Sequence, residues 1–313
     1  MYQARIGTLR CMLLGMCLCC AALPSLGWGF FAHQQINKHA VFTLPPGMFA
    51  FYKQHIHFIA ENAANPDKRS HVHAAEAPRH YIDLEYYKAL SAVPPNWSQA
   101  SAVYGGPALA RHGILPWHIH FMQHALTKAF REKDVCRILR LSADVGHYIA
   151  DAHVPLHTSE NYDGQMTGQE GIHSLWESRL PELFIASYDF FVGQAAYIHD
   201  LPQSIWQTIA TAHQAVGQVL SVEKALSKRF PATKKYSFEQ RGGTLQKVHA
   251  VAYARAYHTL LEGLVEKQMR ASIKMVGDFW FTCWVDAGQP DLELLPTAPL
   301  RTEQSQTDFT PHK

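Results

Sequence analysis

Residues 134–157 read DVCRILRLSADVGHYIADAHVPLH, and the spacing within this stretch decides the fold class. Ile138, Leu141, Val145 and Ile149 recur at intervals of three and four residues, which places them in one apolar stripe on an α-helix. Pro155 cannot continue such a helix, because it lacks a backbone N–H. The stretch therefore predicts a helix that buries one face in a core and ends before Pro155.

Helical spacing recurs elsewhere, and strand patterns are scarce. The other segments with this spacing are residues 32–44, 117–133 and 243 to about 284. The chain has 313 residues, 47% of them hydrophobic, so it can bury a sizeable core. We expect an all-α fold, a multi-helix single domain over residues 28–284. Residues 64–116 and 158–172 are rich in Pro, His and Gly and read as loops, and residues 285–313 read as an irregular tail.

The N-terminus has the features of a cleaved signal peptide. Arg5 and Arg10 precede a short apolar run at residues 11–23, and small residues before position 28 predict a cut after Gly27. A run of 13 residues is too short to span a bilayer, so no integral membrane span is expected after processing. A lipid anchor on a cysteine of this run is a weaker alternative. The domain is expected to be exported, periplasmic or secreted.

Two cysteines, Cys136 and Cys283, remain after this cut. In an exported protein they either pair or stay as free thiols, and the sequence leaves both open. Removal of residues 1–27 takes two arginines and no acid, which leaves 26 basic and 26 acidic side chains. A neutral chain has no overall field to gather nucleic acid, so an anionic substrate must be attracted locally. No feature indicates an obligate protein partner.

Two histidine–carboxylate pairs with the same spacing are candidate metal ligands. His147 and Asp151 are four residues apart and face one side of the predicted helix, and His173 and Glu177 repeat this spacing after a Gly-containing loop. One such pair alone is more often a surface ion pair. His157 follows Pro155 on the exit turn, where it can face a second cation.

Together with residues nearer the N-terminus, these candidate ligands form a pattern that also occurs in a known family. Trp28 at the expected mature N-terminus, His33 five residues later, Asp67, the run HYID at residues 80–83, HxxxDxxxxxH at 147–157 and HxxxE at 173–177 follow one another. This order resembles the zinc-dependent phospholipase C and S1/P1 nuclease superfamily, an all-α family with three zinc ions in one cleft. The resemblance covers roughly residues 28–180.

The resemblance implies a ligand for each of three zinc ions. The first would be bound by Asp67, His80, His147 and Asp151, and the second by His157, His173 and Glu177. The third would be bound by the α-amino nitrogen and carbonyl oxygen of Trp28, by His33, and by Asp151 as a bridge. A free α-amino group at Trp28 exists only after cleavage, so the expected cut and the expected site support each other.

The family chemistry is hydrolysis of phosphodiesters by water that zinc activates at neutral pH. Glu177 as the last ligand is similar to the phospholipase C side of the family, whereas the short spacing from Trp28 to His33 is similar to the nuclease side. The sequence leans to phospholipase C activity on a phospholipid headgroup. The alternatives are a nuclease for single-stranded nucleic acid and a non-catalytic zinc-binding scaffold.

Two residues beside the expected ligands are candidates for other roles. Asp83, three residues after His80, could orient water as a catalytic carboxylate, or it could cap a helix or pair with Arg79. Tyr81 could stack on a substrate, or it could be a core aromatic.

The remaining histidines have simpler interpretations. His153 is two residues from Asp151 and should point away from the metal ligands, exposed or hydrogen-bonded. His199 and Asp200 form an HD doublet, as in the metal-dependent HD phosphohydrolases, but they lie away from the other candidates. The others are expected on solvated faces or as hydrogen-bonded core residues: His55, His57, His71, His73, His118, His120 and His124.

Overall fold

A computed structural model describes residues 29–87, 89–293 and 295 of the chain. The expected signal peptide at 1–27, the expected ligand Trp28 and most of the expected tail lie outside these residues. Within them the protein is mainly α-helical, as the sequence predicts. The α-helices are α1 (Phe30–Ala40), α2 (Pro46–Gln54), α3 (Ile56–Glu61), α4 (Asn65–Ser70), α5 (Trp97–Tyr104), α6 (Gly106–His112), α7 (Leu115–Glu132), α8 (Val135–Asp151), α9 (Ile172–Ser174), α10 (Leu180–Phe184), α11 (Leu201–Gln214), α12 (Val216–Arg229), α13 (Val251–Leu260) and α14 (Leu264–Asp286).

Helix α8 is the central element of the core. Its predicted stripe, Ile138, Leu141, Val145 and Ile149, is buried, and the helix packs against α1, α7 and α14. The side chain of Asp134 caps its first turn by accepting a hydrogen bond from the backbone N–H of Arg137 (3.0 Å). The helix ends at Asp151, four residues before Pro155, which begins a short 3-10 turn (Pro155–Thr158).

The close approach of α1 to α8 depends on Gly146. The side chain of Asn37 on α1 lies over this glycine and donates from Nδ2 to the carbonyl of Ala143 (3.0 Å). Asn37 is fully buried, so it has no room to move aside. This contact sets the spacing between the two helices that carry three of the expected metal ligands.

Replacing Gly146 with Ala is therefore expected to destabilise the protein by about 1–3 kcal/mol through overpacking. In an exposed helix the same change would stabilise by about 1 kcal/mol. A Cβ at position 146 would overlap the Asn37 amide, whereas a Cβ at Gly217 on α12 meets no atom within 4 Å. Urea unfolding of Gly146→Ala and of the control Gly217→Ala measures the difference. Equal midpoints for the two variants would contradict the packing argument.

One small sheet departs from the expected all-α pattern. Strands β1 (Tyr236–Arg241) and β2 (Thr244–His249) form an antiparallel hairpin, so the helical spacing assigned from residue 243 is wrong over residues 244–249. Gly242 and Gly243 form its two-residue turn, both with positive φ (55° and 82°). Such a turn matches the twist of paired strands, and glycine adopts the positive φ values that it requires without steric strain.

The expected loop and tail regions are partly ordered. The span 64–116 contains α4, α5, α6 and several 3-10 turns, so it is not a plain loop, whereas residues 159–171 contain no helix or strand, as expected. Helix α14 continues to Asp286, and Trp284 Nε1 donates to the carbonyl of Pro290 (2.9 Å). Leu292 is buried, so the first residues after α14 pack on the domain.

Cys136 is exposed and Cys283 is buried, and both are free thiols. Among the described residues no helix is both long and apolar enough to cross a lipid bilayer.

Candidate metal centre

The first group of expected ligands meets at the C-terminal end of α8. His147 and Asp151 lie one turn apart on this helix, Asp67 lies in the first turn of α4, and His80 follows a 3-10 turn (Ala77–Arg79). His147 Nε2 is 3.3 Å from Asp151 Oδ2 and 3.5 Å from Asp67 Oδ1. His80 Nδ1 is 3.0 Å from the same Asp151 oxygen and 3.7 Å from Asp67 Oδ1. All four side chains are buried.

His33 lies on the other side of Asp151. Its Nε2 is 3.4 Å from Asp151 Oδ1, so the two oxygens of this carboxylate face two different groups of ligands. The His33 ring stacks on His147 with 3.8 Å between centroids, and its donor atoms also lie within 4.8 Å of Asp67 and His147. His33 and the shared carboxylate of Asp151 form the second group, which adjoins Asp67 and His147 of the first group.

The start of α1 adjoins the segment that carries Glu177. Gly29 donates from its backbone N–H to the carbonyl of Glu177 (3.3 Å), and a Cβ on Gly29 would overlap Ser178. The residue before Gly29 is the expected ligand Trp28. The chain therefore enters α1 against the segment that holds the last expected ligand.

A third group, made of the ligands expected for the second zinc ion, is formed by His157, His173 and Glu177. His173 Nε2 is 2.9 Å from Glu177 Oε2 and 3.2 Å from His157 Nε2, and all three side chains are buried. His173 lies on α9, and Glu177 lies on a π-helical turn (Leu175–Arg179) that connects α9 to α10. π-turns inside helices are frequent at functional sites, and the sequence predicts an ordinary helix here.

Backbone carbonyls orient three of the histidines. The Nδ1–H of His147 donates to Ala63 (2.8 Å), that of His157 to His80 (2.6 Å) and that of His173 to Tyr162 (2.9 Å). Each bond fixes the ring so that Nε2 points into its group. This is the arrangement of metal-bound histidines, whose other ring nitrogen usually donates to a carbonyl or carboxylate.

Pairs of ring nitrogens face one another inside the groups. His147 Nε2 is 3.0 Å from His80 Nδ1, and His157 Nε2 is 3.2 Å from His173 Nε2. Two nitrogen lone pairs at this distance repel unless a proton or a cation lies between them. The carboxylates beside them supply the negative charge that would attract either one.

Several buried polar atoms of these groups make no hydrogen bond within the described part of the chain. Apart from the histidine–carboxylate contacts given above, they are both ring nitrogens of His33, Nε2 of His80, Oδ1 of Asp67 and of Asp151, and both carboxylate oxygens of Glu177. Burying such atoms without a partner is costly, and buried charges are usually paired or coordinate a metal. Nitrogen and oxygen donors without a thiolate fit zinc and other borderline divalent ions.

The pKa values reflect this concentration of carboxylates. Burial lowers the pKa of His147, but Asp151 and Asp67 outweigh it and hold that pKa well above the ordinary value. Burial also opposes protonation of His173, yet Glu177 raises its pKa to about 9. Burial would raise the pKa of Asp151, but the neighbouring histidines, first His147, hold it well below its usual range. The field that retains protons here would also attract a divalent cation.

An open cleft of about 330 Å³ adjoins the third group. His157 and His173 form part of its wall, and Tyr81 and Asp83 line it too, so both candidates from the sequence lie beside the ligands. Tyr81 is half-buried and its hydroxyl donates to the carbonyl of Arg111 (3.0 Å), so it is not a core aromatic.

Asp83 has a different partner from the one the sequence suggests. It pairs with His112 (Nδ1 to Oδ2, 3.2 Å), whereas Arg79 pairs with Glu76. Asp83 precedes a 3-10 turn but caps no helix through its side chain. Burial raises the pKa of Asp83 to about 6, and the hydrogen bond with His112 opposes the increase.

Sequence reasoning missed the rest of the cleft wall, which comes from separate segments without a local motif. These residues are Arg111, Leu156, Ser159, Glu160 and Tyr162. It also missed Glu76, a buried carboxylate behind His80. Glu76 accepts hydrogen bonds from Tyr148 and Arg79, and its Oε1 is 3.9 Å from His80 Nε2.

The other histidines stay outside the groups. His153 is buried, and its Nδ1–H donates to the carbonyl of Ile149 (2.8 Å). Of the two expectations for this residue, exposed or hydrogen-bonded, the structure shows the second. His71 and His73 are exposed, so His80 is the histidine of this loop that reaches Asp151. His199 and Asp200 are also exposed, and Asp200 caps α11, which leaves the HD doublet without neighbouring ligands among the described residues.

No protein-family model matches this chain, and a search of curated proteins found no match.

Proposed function

We propose that this chain is an exported zinc-dependent phosphodiester hydrolase of the phospholipase C and P1 nuclease fold type, with three zinc ions, and that it acts as a phospholipase C. The observation that carries the proposal is the convergence of eight buried ligand candidates, three of them with Nε2 aimed inward by backbone carbonyls. The residue types and their order along the chain fit the pattern of that family.

The division of the ligands supports three ions rather than one. Asp151 presents Oδ1 to His33 and Oδ2 to His80 and His147, so it can bridge two cations. His157, His173 and Glu177 form a separate group beside the cleft. When bound, zinc supplies positive charge for the phosphate and lowers the pKa of water towards about 7.

The residues of the cleft would bind and orient the substrate. In the hydrolysis, water adds to phosphorus, the bond from phosphorus to the leaving oxygen breaks, and the proton from the water passes to that oxygen. Asp83 would accept a hydrogen bond from the attacking water, and Tyr81, held by the carbonyl of Arg111, would contact the group attached to the phosphate.

The charges around the cleft favour a single phosphodiester headgroup over a polyanion. Asp83 and Glu160 line the cleft, and Arg111 is the only Lys or Arg among the described residues of its wall, so a strand of phosphates would meet carboxylates there. A volume of about 330 Å³ suits a small headgroup. The second candidate, a nuclease for single strands, is favoured by Tyr81 and Tyr162, since aromatic rings on the wall can stack on bases.

The deciding experiment measures metal content and turnover together. Protein that begins at Trp28 is analysed for metals and assayed with phosphatidylcholine, single-stranded nucleic acid and a chromogenic phosphodiester. The matched control carries an additional Met before Trp28. We expect about three zinc ions in the first protein and two in the second, because the extension removes the α-amino ligand at Trp28.

The substrates separate the candidate functions. Cleavage of phosphatidylcholine would support the phospholipase, and cleavage of the oligonucleotide alone would replace it with the nuclease. Bound zinc without turnover of any substrate would support the non-catalytic zinc-binding scaffold. A protein isolated without zinc would refute the metal centre.

Replacing Asp83 with Asn is expected to lower kcat about 10–100-fold without changing the zinc content. The amide keeps the shape of the side chain but removes the charge that would orient water. His112→Asn is the matched control, since it removes the observed partner of Asp83 and leaves the carboxylate. If Asp83 serves only to hold His112, the two variants will lose activity equally.

A further inference from the structure

The segment 224–249 concentrates positive charge in a chain that is nearly balanced as a whole. It contains seven Lys and Arg residues and one acid, Glu239, whereas the whole chain has 28 basic and 26 acidic side chains. Glu239 is bound by Arg179 and Arg241, so its charge is neutralised within the fold. The segment covers the end of α12 and the whole β-hairpin.

Most of these cations have no ion pair with any described residue. Lys235 bonds Glu223, and Arg241 bonds Glu182 and Glu239. The other five are exposed to solvent without a carboxylate partner in the described part of the chain: Lys224, Lys228, Arg229, Lys234 and Lys247. An external anionic partner would meet them without first breaking a bond inside the protein.

One face of the hairpin is buried at its base and exposed to solvent towards its turn. At the base, His249 is buried and stacks on Tyr253 of α13, with 5.5 Å between ring centroids. On the same face nearer the turn, Phe238 is 68% exposed and Leu245 is 66% exposed. Phe238 pairs across the strands with Lys247, so an apolar side chain and a cation lie side by side.

We propose that this hairpin face docks on an anionic lipid surface. Aromatic and aliphatic side chains enter the boundary between headgroups and acyl chains, while lysines and arginines around them meet lipid phosphates. The excess of positive charge is confined to this segment, since the rest of the chain has 21 basic and 25 acidic side chains and is net acidic. The aliphatic side chain of Leu245 can neither stack on a base nor bind a phosphate, which argues against a nucleic acid. Two apolar side chains are too few for the core of a stable protein interface, which argues against a protein partner.

The hairpin is anchored to the segment that carries the third group of ligands. Arg179, two residues after Glu177, donates from Nε to the carbonyl of His249 (3.1 Å) and bonds Glu239 through its other nitrogens. Docking of the hairpin would therefore fix this segment relative to the lipid surface. The docking itself requires no metal and no turnover, so it goes beyond the proposed hydrolysis and can be tested separately.

The experiment is flotation of the metal-loaded protein with vesicles. One set contains phosphatidylglycerol and phosphatidylcholine, the other phosphatidylcholine alone, and lipid phosphorus is assayed in the same tubes to correct for any hydrolysis. We expect binding to the anionic vesicles that weakens as salt increases. In K228Q/R229Q/K234Q we expect the partition coefficient to fall about 100-fold, since each cation contributes about fivefold. In F238S/L245S we expect a fall of at least about tenfold.

Two controls match these changes at other surfaces. F191S removes a phenylalanine that is 82% exposed, and K38Q/K133Q/K267Q removes the same number of exposed charges elsewhere. Both should bind as the unaltered protein does, and circular dichroism checks the fold of each variant. The proposal is overturned if the unaltered protein does not float with anionic vesicles or if the hairpin variants bind like the controls. Binding of an oligonucleotide that depends on the lysines, without flotation, would also overturn it and assign the surface to nucleic acid.

Discussion

Asp151→Asn is expected to reduce the zinc content by one or two ions per chain and to lower turnover by at least about 100-fold. The two carboxylate oxygens of Asp151 face His33 on one side and His80 with His147 on the other. An amide nitrogen cannot bind a cation and would place its hydrogens against a ligand. Elemental analysis and a phosphodiester assay on the same sample measure both effects.

Asp134→Asn is the matched control for this substitution. It makes the same chemical change at the other end of α8, and Asn caps a helix about as well as Asp. Its zinc content and turnover should stay within twofold of the unaltered protein. A zinc ion retained at His157, His173 and Glu177 would show that Asp151→Asn is folded. Full metal content and full turnover in Asp151→Asn would refute the bridging role.

Removal of the metals is expected to lower the thermal midpoint by about 10 °C or more. Asp67, Asp151 and Glu177 are at most 3% exposed, and several of their oxygens have no hydrogen bond within the described residues. Without cations these carboxylates are balanced only by protons on neighbouring histidines such as His147 and His173. A loss of several kcal/mol is typical when a buried site loses its metal, and 1 kcal/mol corresponds to about 2–4 °C in a domain of this size.

Thermal unfolding of three samples tests this expectation: the isolated protein, the protein after chelation, and the chelated protein with zinc restored. Zinc should restore the midpoint and magnesium should not, because magnesium prefers sites made of oxygen ligands. The difference between the first two samples should shrink from pH 7 to pH 5, since the histidines must lose a proton to bind a cation. An unchanged midpoint in a sample shown to be free of metal would contradict the expectation.

The sequence predicts the helical core and the pairs of candidate metal ligands because both depend on spacing along one element. The stripe on α8 is buried as predicted, and the same helix presents His147 and Asp151 to one group. His173 and Glu177 also meet, although the turn between them is π-helical rather than α-helical. A spacing of four residues keeps two side chains on one face in either case.

The hairpin was missed although its turn carries a local signal. Gly242–Gly243 between two alternating segments is typical of a two-residue hairpin turn, but the residues from 243 onward also match helical spacing, which predicts a helix where β2 lies. The hairpin pairs with no other strand among the described residues, and its base is held by a long-range hydrogen bond from Arg179 to the carbonyl of His249. A hydrogen bond between residues so far apart in the chain cannot be predicted from a local sequence pattern.

By itself the sequence determined the mainly helical class, the central helix and the residues that could bind metal, because burial and coordination both follow the period of a helix. Only the tertiary structure decided how these residues divide into groups, which carbonyls orient the rings of His147, His157 and His173, and that Asp83 pairs with His112. The tertiary structure also decided which residues line the cleft and which face of the hairpin is exposed. Most of these features join residues far apart in the chain, such as His147 with Ala63 and Asp83 with His112. Their distances are set by how the helices pack rather than by the period of any one helix.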